Sequence, residues 1–293
     1  MNIVIYSDKN DLTEGMYGQA LIWLLEILKA LQHNDTKIIF DINTLAYDNL
    51  IPKFVKPKIE YKIEELENIL RINVKQFKSS FRIDFEFNEN SFYKANQLWE
   101  KYFIFNETIL QNIPKFDSNK TLGLHYRGTD KNTDTSQANP INQNEFIMIV
   151  TDYLKNNADI TTLYCCSDET TFVDNIKQHF PNMKVIEYKQ QRANEDLNTG
   201  FFRYGDKVDK MTQDEMTIAA FVDMLALSKC NSVLKTSSAL SAFSKIINPE
   251  LRVYTVSAMK ERWFPTGLIE SYKTTSPEIN QILQRTLKGH VYL

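Results

Sequence analysis

Thr121-Leu122-Gly123-Leu124-His125-Tyr126-Arg127-Gly128-Thr129-Asp130-Lys131 is the stretch on which the fold turns. Residues 122–125 read as a short buried strand, and the strand runs straight into a polar, basic loop. Downstream, helical spacing of apolar residues over 143–155 and 169–179 alternates with strand-like runs at 162–166 and 184–187. After a polar stretch the series resumes with a helix at 213–228, a strand at 232–234, a helix at 237–247 and a strand at 252–255. Strands of about five residues separated by helices predict a parallel α/β sheet, because a parallel pair needs a crossover and a helix usually provides it.

Upstream, residues 3–6 open the chain as a strand, followed by a turn holding Gly15 and Gly18. Ala20, Leu24, Ile27, Leu28 and Leu31 then recur at helical spacing, and 37–40 reads as the next strand. Residues 51–87, with prolines at 52 and 57, give no clear pattern, whereas 91–113 predicts one or two helices ended by Pro114. The division that follows is an N-terminal half over 1–115, a second half over 116–260, and a C-terminal segment over 261–293 packing back on the first half.

With 293 residues, 43% of them hydrophobic, the chain can bury one large core or two moderate ones. A formal charge of -3, from 34 basic and 37 acidic residues, gives no blanket attraction to nucleic acid or to an anionic membrane. Phosphate recognition, if present, must be local. No run approaches the roughly 18 to 20 apolar residues of a membrane span, and Met1 to Tyr6 lacks the pattern of a secretory signal. Cys165, Cys166 and Cys230 show no metal or CxxC spacing and read as buried, reduced thiols, so the expected compartment is cytoplasmic.

Residues just past the carboxyl end of a strand in such a sheet are where ligands bind. Arg127 stands there in a chain with eight arginines and 26 lysines. Its planar guanidinium can donate two parallel hydrogen bonds to a diphosphate, and Gly128 allows close backbone approach. A solvated turn with an internal Arg-Asp pair accounts for the same residues. Lys235-Thr236-Ser237-Ser238, between a strand and a helix, suits an anion, although helix capping by the hydroxyls explains it equally. Asp168, in Cys166-Ser167-Asp168-Glu169, is a third strand-end residue, with N-capping as its alternative. Convergence of three strand ends is what favours a binding crevice.

His125 to Lys131 resembles the His-x-Arg-Arg-Thr-Asp-Lys motif of the α1,6-fucosyltransferases, shared in looser form by the α1,2- and protein O-fucosyltransferases. Leu163 to Glu169 is similar to a second motif of that superfamily, and Asp223 to Ile246 to a third, over about 125 residues in the same order. Gly15 to Gln19 resembles its glycine-rich loop. The resemblance implies a GT-B-type architecture, two Rossmann-like domains facing across a cleft, with GDP-fucose as donor substrate, inversion at the sugar carbon, a glycan acceptor, and neither metal nor cofactor. It implies donor contacts for His125, Arg127, Lys131, Asp168, Glu169, Ser237, Ser238, Gly18 and Gln19, and guanine binding for Asp223. Gly128 replaces the family's second arginine, Ala239 a glutamine, and Thr135 the glutamate thought to act as base. Asp134 is then the first choice of base and Asp130 the second. Residues 189–212, with Arg192, Arg203, Tyr204 and Lys207, form either a lid over the donor or a solvated loop.

Three other readings remain open. One is the same fold with another nucleotide sugar, and another is a catalytically silent nucleotide-binding protein. The third is a dinucleotide-dependent oxidoreductase, for which Gly15-Met16-Tyr17-Gly18 lacks the three-glycine fingerprint.

Overall fold

A computed structural model of the chain describes residues 2–8, 20–31, 37–43, 53–75, 88–128, 139–189, 210–258 and 264–289. The chain divides into two compact units, Met1–Asn112 with Tyr204–Ile218, and Ile113–Arg203 with Ala219–Leu293.

In the first unit, β1 (Asn2–Ser7) pairs parallel with β2 (Lys37–Ile42) on one side and β4 (Ile69–Asn73) on the other. The crossover from β1 to β2 is α1 (Ala20–Leu31), which buries Leu21, Leu24, Leu25 and Leu28 at helical spacing. A small antiparallel pair joins β3 (Val55–Pro57) to β5 (Phe103–Phe105). The periodic stretch 91–113 is therefore helix, strand, helix: α2 (Asn90–Tyr102), β5 and α3 (Glu107–Gln111). Phe103 breaks the helix because its ring packs against Trp99 at 5.1 Å and Phe40 at 4.9 Å, and Asn106 then caps α3 through the Thr108 amide.

The second unit carries a six-stranded sheet in the order β11-β10-β9-β6-β7-β8, every pair parallel. Its elements in chain order are β6 (Thr121–Tyr126), α4 (Gln143–Lys155), β7 (Thr162–Ser167), α5 (Thr170–His179), β8 (Lys184–Ile186), α6 (Lys210–Ser228), β9 (Ser232–Lys235), α7 (Ala239–Ile247), β10 (Arg252–Thr255), β11 (Glu270–Ser271) and α8 (Pro277–Thr286). The alternation read from sequence is realised here strand by strand.

The two faces of this sheet are covered differently. Leu122, Leu124, Tyr126, Leu163, Cys165 and Leu234 form one core with Phe146 and Val150 of α4, Phe172 and Ile176 of α5, and Leu283 of α8. Gly123 lies on the opposite face, where a Cβ would come within 2.7 Å of Leu227 on α6. Both faces being buried, the strands are apolar throughout instead of alternating.

Local signals set the helix starts. Asn142 and Glu145 form a reciprocal capping box on α4, and Ser276 with Pro277 starts α8. Residues 264–289 group with the second unit, β11 extending its sheet from β10. Residues 210–218 group with the first unit although α6 runs on to Ser228, and an unbroken helical pattern carries no mark of that change.

Candidate functional site

β6 lies between β7 and β9. From β6 the chain goes outward to β7 and β8, then returns to the other side of β6 for β9, β10 and β11. That reversal is a topological switch point, and in open α/β sheets ligands bind outside the carboxyl ends of the strands at such a point. The loops there are tied together: the Thr236 amide donates to the His125 carbonyl at 3.0 Å, and the Arg127 amide donates to Thr236 Oγ1 at 2.8 Å. Arg127 and the Thr-Ser-Ser segment, 109 residues apart, are thus brought to one place.

Asp168, past the end of β7, completes the group. Its carboxylate accepts from Arg127 Nε at 3.1 Å and from the Gly128 amide at 3.0 Å. The guanidinium is oriented by this pair while the side chain stays 23% exposed. α5 has Glu169 at its N-cap with no side-chain capping bond. Glu169 instead accepts from Gln143 Nε2 at 2.7 Å and lies against Gly128, where an added Cβ would fall 2.0 Å from Glu169 Oε1. A side chain at 128 would have to push the Glu169 carboxylate aside and out of its bond to Gln143.

At the end of β9, Ser238 occupies the N-cap of α7 in extended conformation, and its hydroxyl makes no capping bond. Ser237 donates its amide to Ser257 Oγ at 2.9 Å, while its own buried Oγ has no hydrogen-bond partner among the described residues. A helix start without a side-chain cap presents amide N-H groups and the positive end of the helix dipole, and both attract an anion.

His125 and Lys235 are register partners on β6 and β9, so their side chains share a face of the sheet. Both are buried, at 6% and 2% exposure. Burial, reinforced by the charges of Lys235 and Arg127, pushes the imidazole down to about 3, so it is neutral at pH 7, and its Nδ1 has no hydrogen-bond partner among the described residues. Burial alone pushes the Lys235 ammonium down to about 7. Among the described residues Arg127 is paired with Asp168, whereas Lys235 has no carboxylate paired with it. In the sequence Lys235 opens the anion-suited segment 235–238 without a role of its own; the signal for its burial is a lysine closing the apolar run Ser232-Val233-Leu234, a position that belongs to the core.

Asp223 is placed differently from the rest. Its carboxylate, 4% exposed on α6, accepts from Tyr164 Oη at 2.7 Å beneath the sheet, so what the structure shows is a buried hydrogen-bonded acid rather than a group presented at the strand ends. Thr129, Asp130, Lys131, Asp134, Gly18, Gln19 and residues 190–209 lie outside the described residues. Among the described residues no group of three or more His, Cys, Asp or Glu side chains is arranged to hold a metal, and no helix is long and apolar enough to cross a membrane.

No protein-family model matches the sequence, and no curated protein is similar to it. Fucosyltransferases are among the solved structures that it resembles. NodZ α-1,6-fucosyltransferase soaked with GDP-fucose matches with a TM-score of 0.49 at 12% identity, over 86% of this chain and 94% of that one. A mutant of FUT1 from Arabidopsis thaliana in complex with GDP matches with a TM-score of 0.47 at 8% identity, over 90% and 72%. The apo form of POFUT1 matches with a TM-score of 0.44 at 9% identity, over 86% and 97%.

Proposed function

We propose that the protein is an inverting glycosyltransferase that binds a nucleotide sugar by its diphosphate, with GDP-fucose as the first candidate donor, and passes the sugar to a glycan hydroxyl without a metal ion. The observation that carries this reading is the junction of Arg127, the start of α7 without a side-chain cap, and buried polar atoms that have no partner among the described residues, at the β6–β9 switch point. Those groups suit the oxygens of a diphosphate, and the motif running from His125 supplies the fucosyltransferase direction.

In such a reaction the acceptor oxygen forms a bond to the anomeric carbon as the bond to the diphosphate breaks from the opposite side. The bond electrons leave with GDP, and the acceptor proton passes to a carboxylate, Asp134 by preference and otherwise Asp130. Arg127, Ser238 and the first amides of α7 would hold the charge that grows on the leaving diphosphate. None of these groups reads the sugar or the base, so the donor is decided by experiment. Calorimetric titration with GDP, GDP-fucose, GDP-mannose and UDP-sugars, followed by transfer assays on a glycan array with and without chelator, tests each part. Binding of GDP and turnover of GDP-fucose in chelator are the expected results. Absence of any nucleotide diphosphate binding would refute the reading, and strict dependence on Mg²⁺ or Mn²⁺ would refute its metal-free part.

A further inference from the structure

Lys235 has no counterpart in the roles considered so far. An ammonium removed from water is costly unless a carboxylate, or a set of acceptors, replaces the lost hydration. Here the side chain is 2% exposed, and among the described residues no carboxylate pairs with it. Its register neighbours are His125 on β6 and Thr255 on β10, with Cys166 on the far side of His125. Arg127 follows β6 as a second cation, itself paired with Asp168, and on α6 the Asp223 carboxylate accepts from Tyr164. Among the described residues, then, the acids around the switch point are held by partners other than Lys235.

We infer that Lys235 is a cation built into the anion site, and that the negative charge it lacks is supplied by the diphosphate of the bound donor. The inference rests on the nucleotide-sugar reading and adds to it a specific binding residue. Four features at the switch point are each incomplete alone: the lysine, the Nδ1 of His125, the Oγ of Ser237 and the amides at the start of α7. A polyoxyanion is the one class of ligand that answers all four, because it brings charge and several acceptor oxygens together. Retaining a buried lysine is then a cost borne by the free protein in exchange for binding.

The test compares wild type with Lys235→Met, which keeps the length and volume of the side chain and removes its charge. Inorganic pyrophosphate and GDP are titrated calorimetrically into each protein, and the unliganded proteins are unfolded in urea. Loss of at least about tenfold in affinity for pyrophosphate in K235M is expected, together with unchanged or greater resistance to urea. Equal affinity in both proteins overturns the inference and leaves the nucleotide reading intact. A K235M protein that unfolds at lower urea also overturns it, since the lysine would then be a structural support. Wild type that binds pyrophosphate but no nucleotide refutes the nucleotide reading, with Lys235 still judged by the pyrophosphate arm. Wild type that binds neither refutes both.

Discussion

Raising the pH from 7 to 9 should make the unliganded protein harder to unfold, and Lys235→Met should remove that gain. The folded-state value for Lys235 is about 7, against 10.5 for an ordinary lysine. Between the two, the unfolded chain carries a proton that the folded chain does not. Unfolding then takes up a proton, so stability rises with pH through this window. At about 1.4 kcal/mol per pH unit, and half that slope near the folded value, the interval from 7 to 9 contributes on the order of 2 kcal/mol. The interval stops at 9 because Cys166 and Cys230, whose thiols burial pushes up from 9.0, act with the opposite sign above it. His125, whose ordinary value is 6.5, titrates mainly below 7. Urea unfolding followed by tryptophan fluorescence at pH 7, 8 and 9, in wild type and K235M, isolates the lysine as the difference between two curves. A wild-type curve parallel to that of K235M would refute the burial argument. With GDP bound, the lysine is held protonated by its anion, and the rise should flatten.

Three further outcomes follow from the same geometry. Replacing Arg127 by Ala should lower kcat/KM with the donor by a factor that corresponds to about 3 kcal/mol, and a variant with near-normal kcat/KM would show that the guanidinium serves only Asp168. Gly128→Ala places a Cβ on the Glu169 carboxylate and should cost about 1–3 kcal/mol of stability, with Gly128→Ala/Glu169→Ala recovering most of it; simple additivity in the double mutant would discard the contact. On the acid side, His125 is depressed from 6.5 to about 3, so the unfolded chain protonates first and stability falls as pH drops below 6.5. The loss by pH 5 is about 2 kcal/mol, and His125→Gln should show a shallower acid limb in urea unfolding.

Much of the architecture was legible because burial on both faces leaves a direct imprint on a strand. Leu122 to His125, Thr162 to Cys166 and Ser232 to Leu234 are apolar runs in the sequence and become β6, β7 and β9. Turn chemistry was read less well. The run Tyr102-Phe103-Ile104-Phe105 keeps helical spacing, but rings from elsewhere in the unit draw it into β5. Residues 53–75 yielded no pattern because their strands are short and lie at edges, where few side chains are buried. At the site, Arg127 and Ser238 stood out as polar groups at strand ends, and Asp168 did so as an acid. Glu169 was grouped with Asp168 by adjacency, yet it turns under the loop to Gln143 while its neighbour turns to Arg127. Successive residues past a strand diverge in this way, and no periodicity reports which goes where.

Local pattern, then, was enough for the succession of strands and helices, for the strand-end position of Arg127 and for the anion-seeking character of Thr236-Ser237-Ser238, because each depends on residues near one another in the chain. The order β9-β6-β7 was decided only in three dimensions, and with it the meeting of Arg127 with Thr236 and of His125 with Lys235. Strand order is settled by which faces and crossovers pack best together, a property of the whole sheet. The same packing turned Lys235 from one lysine among 26 into a buried charge that asks for an anion.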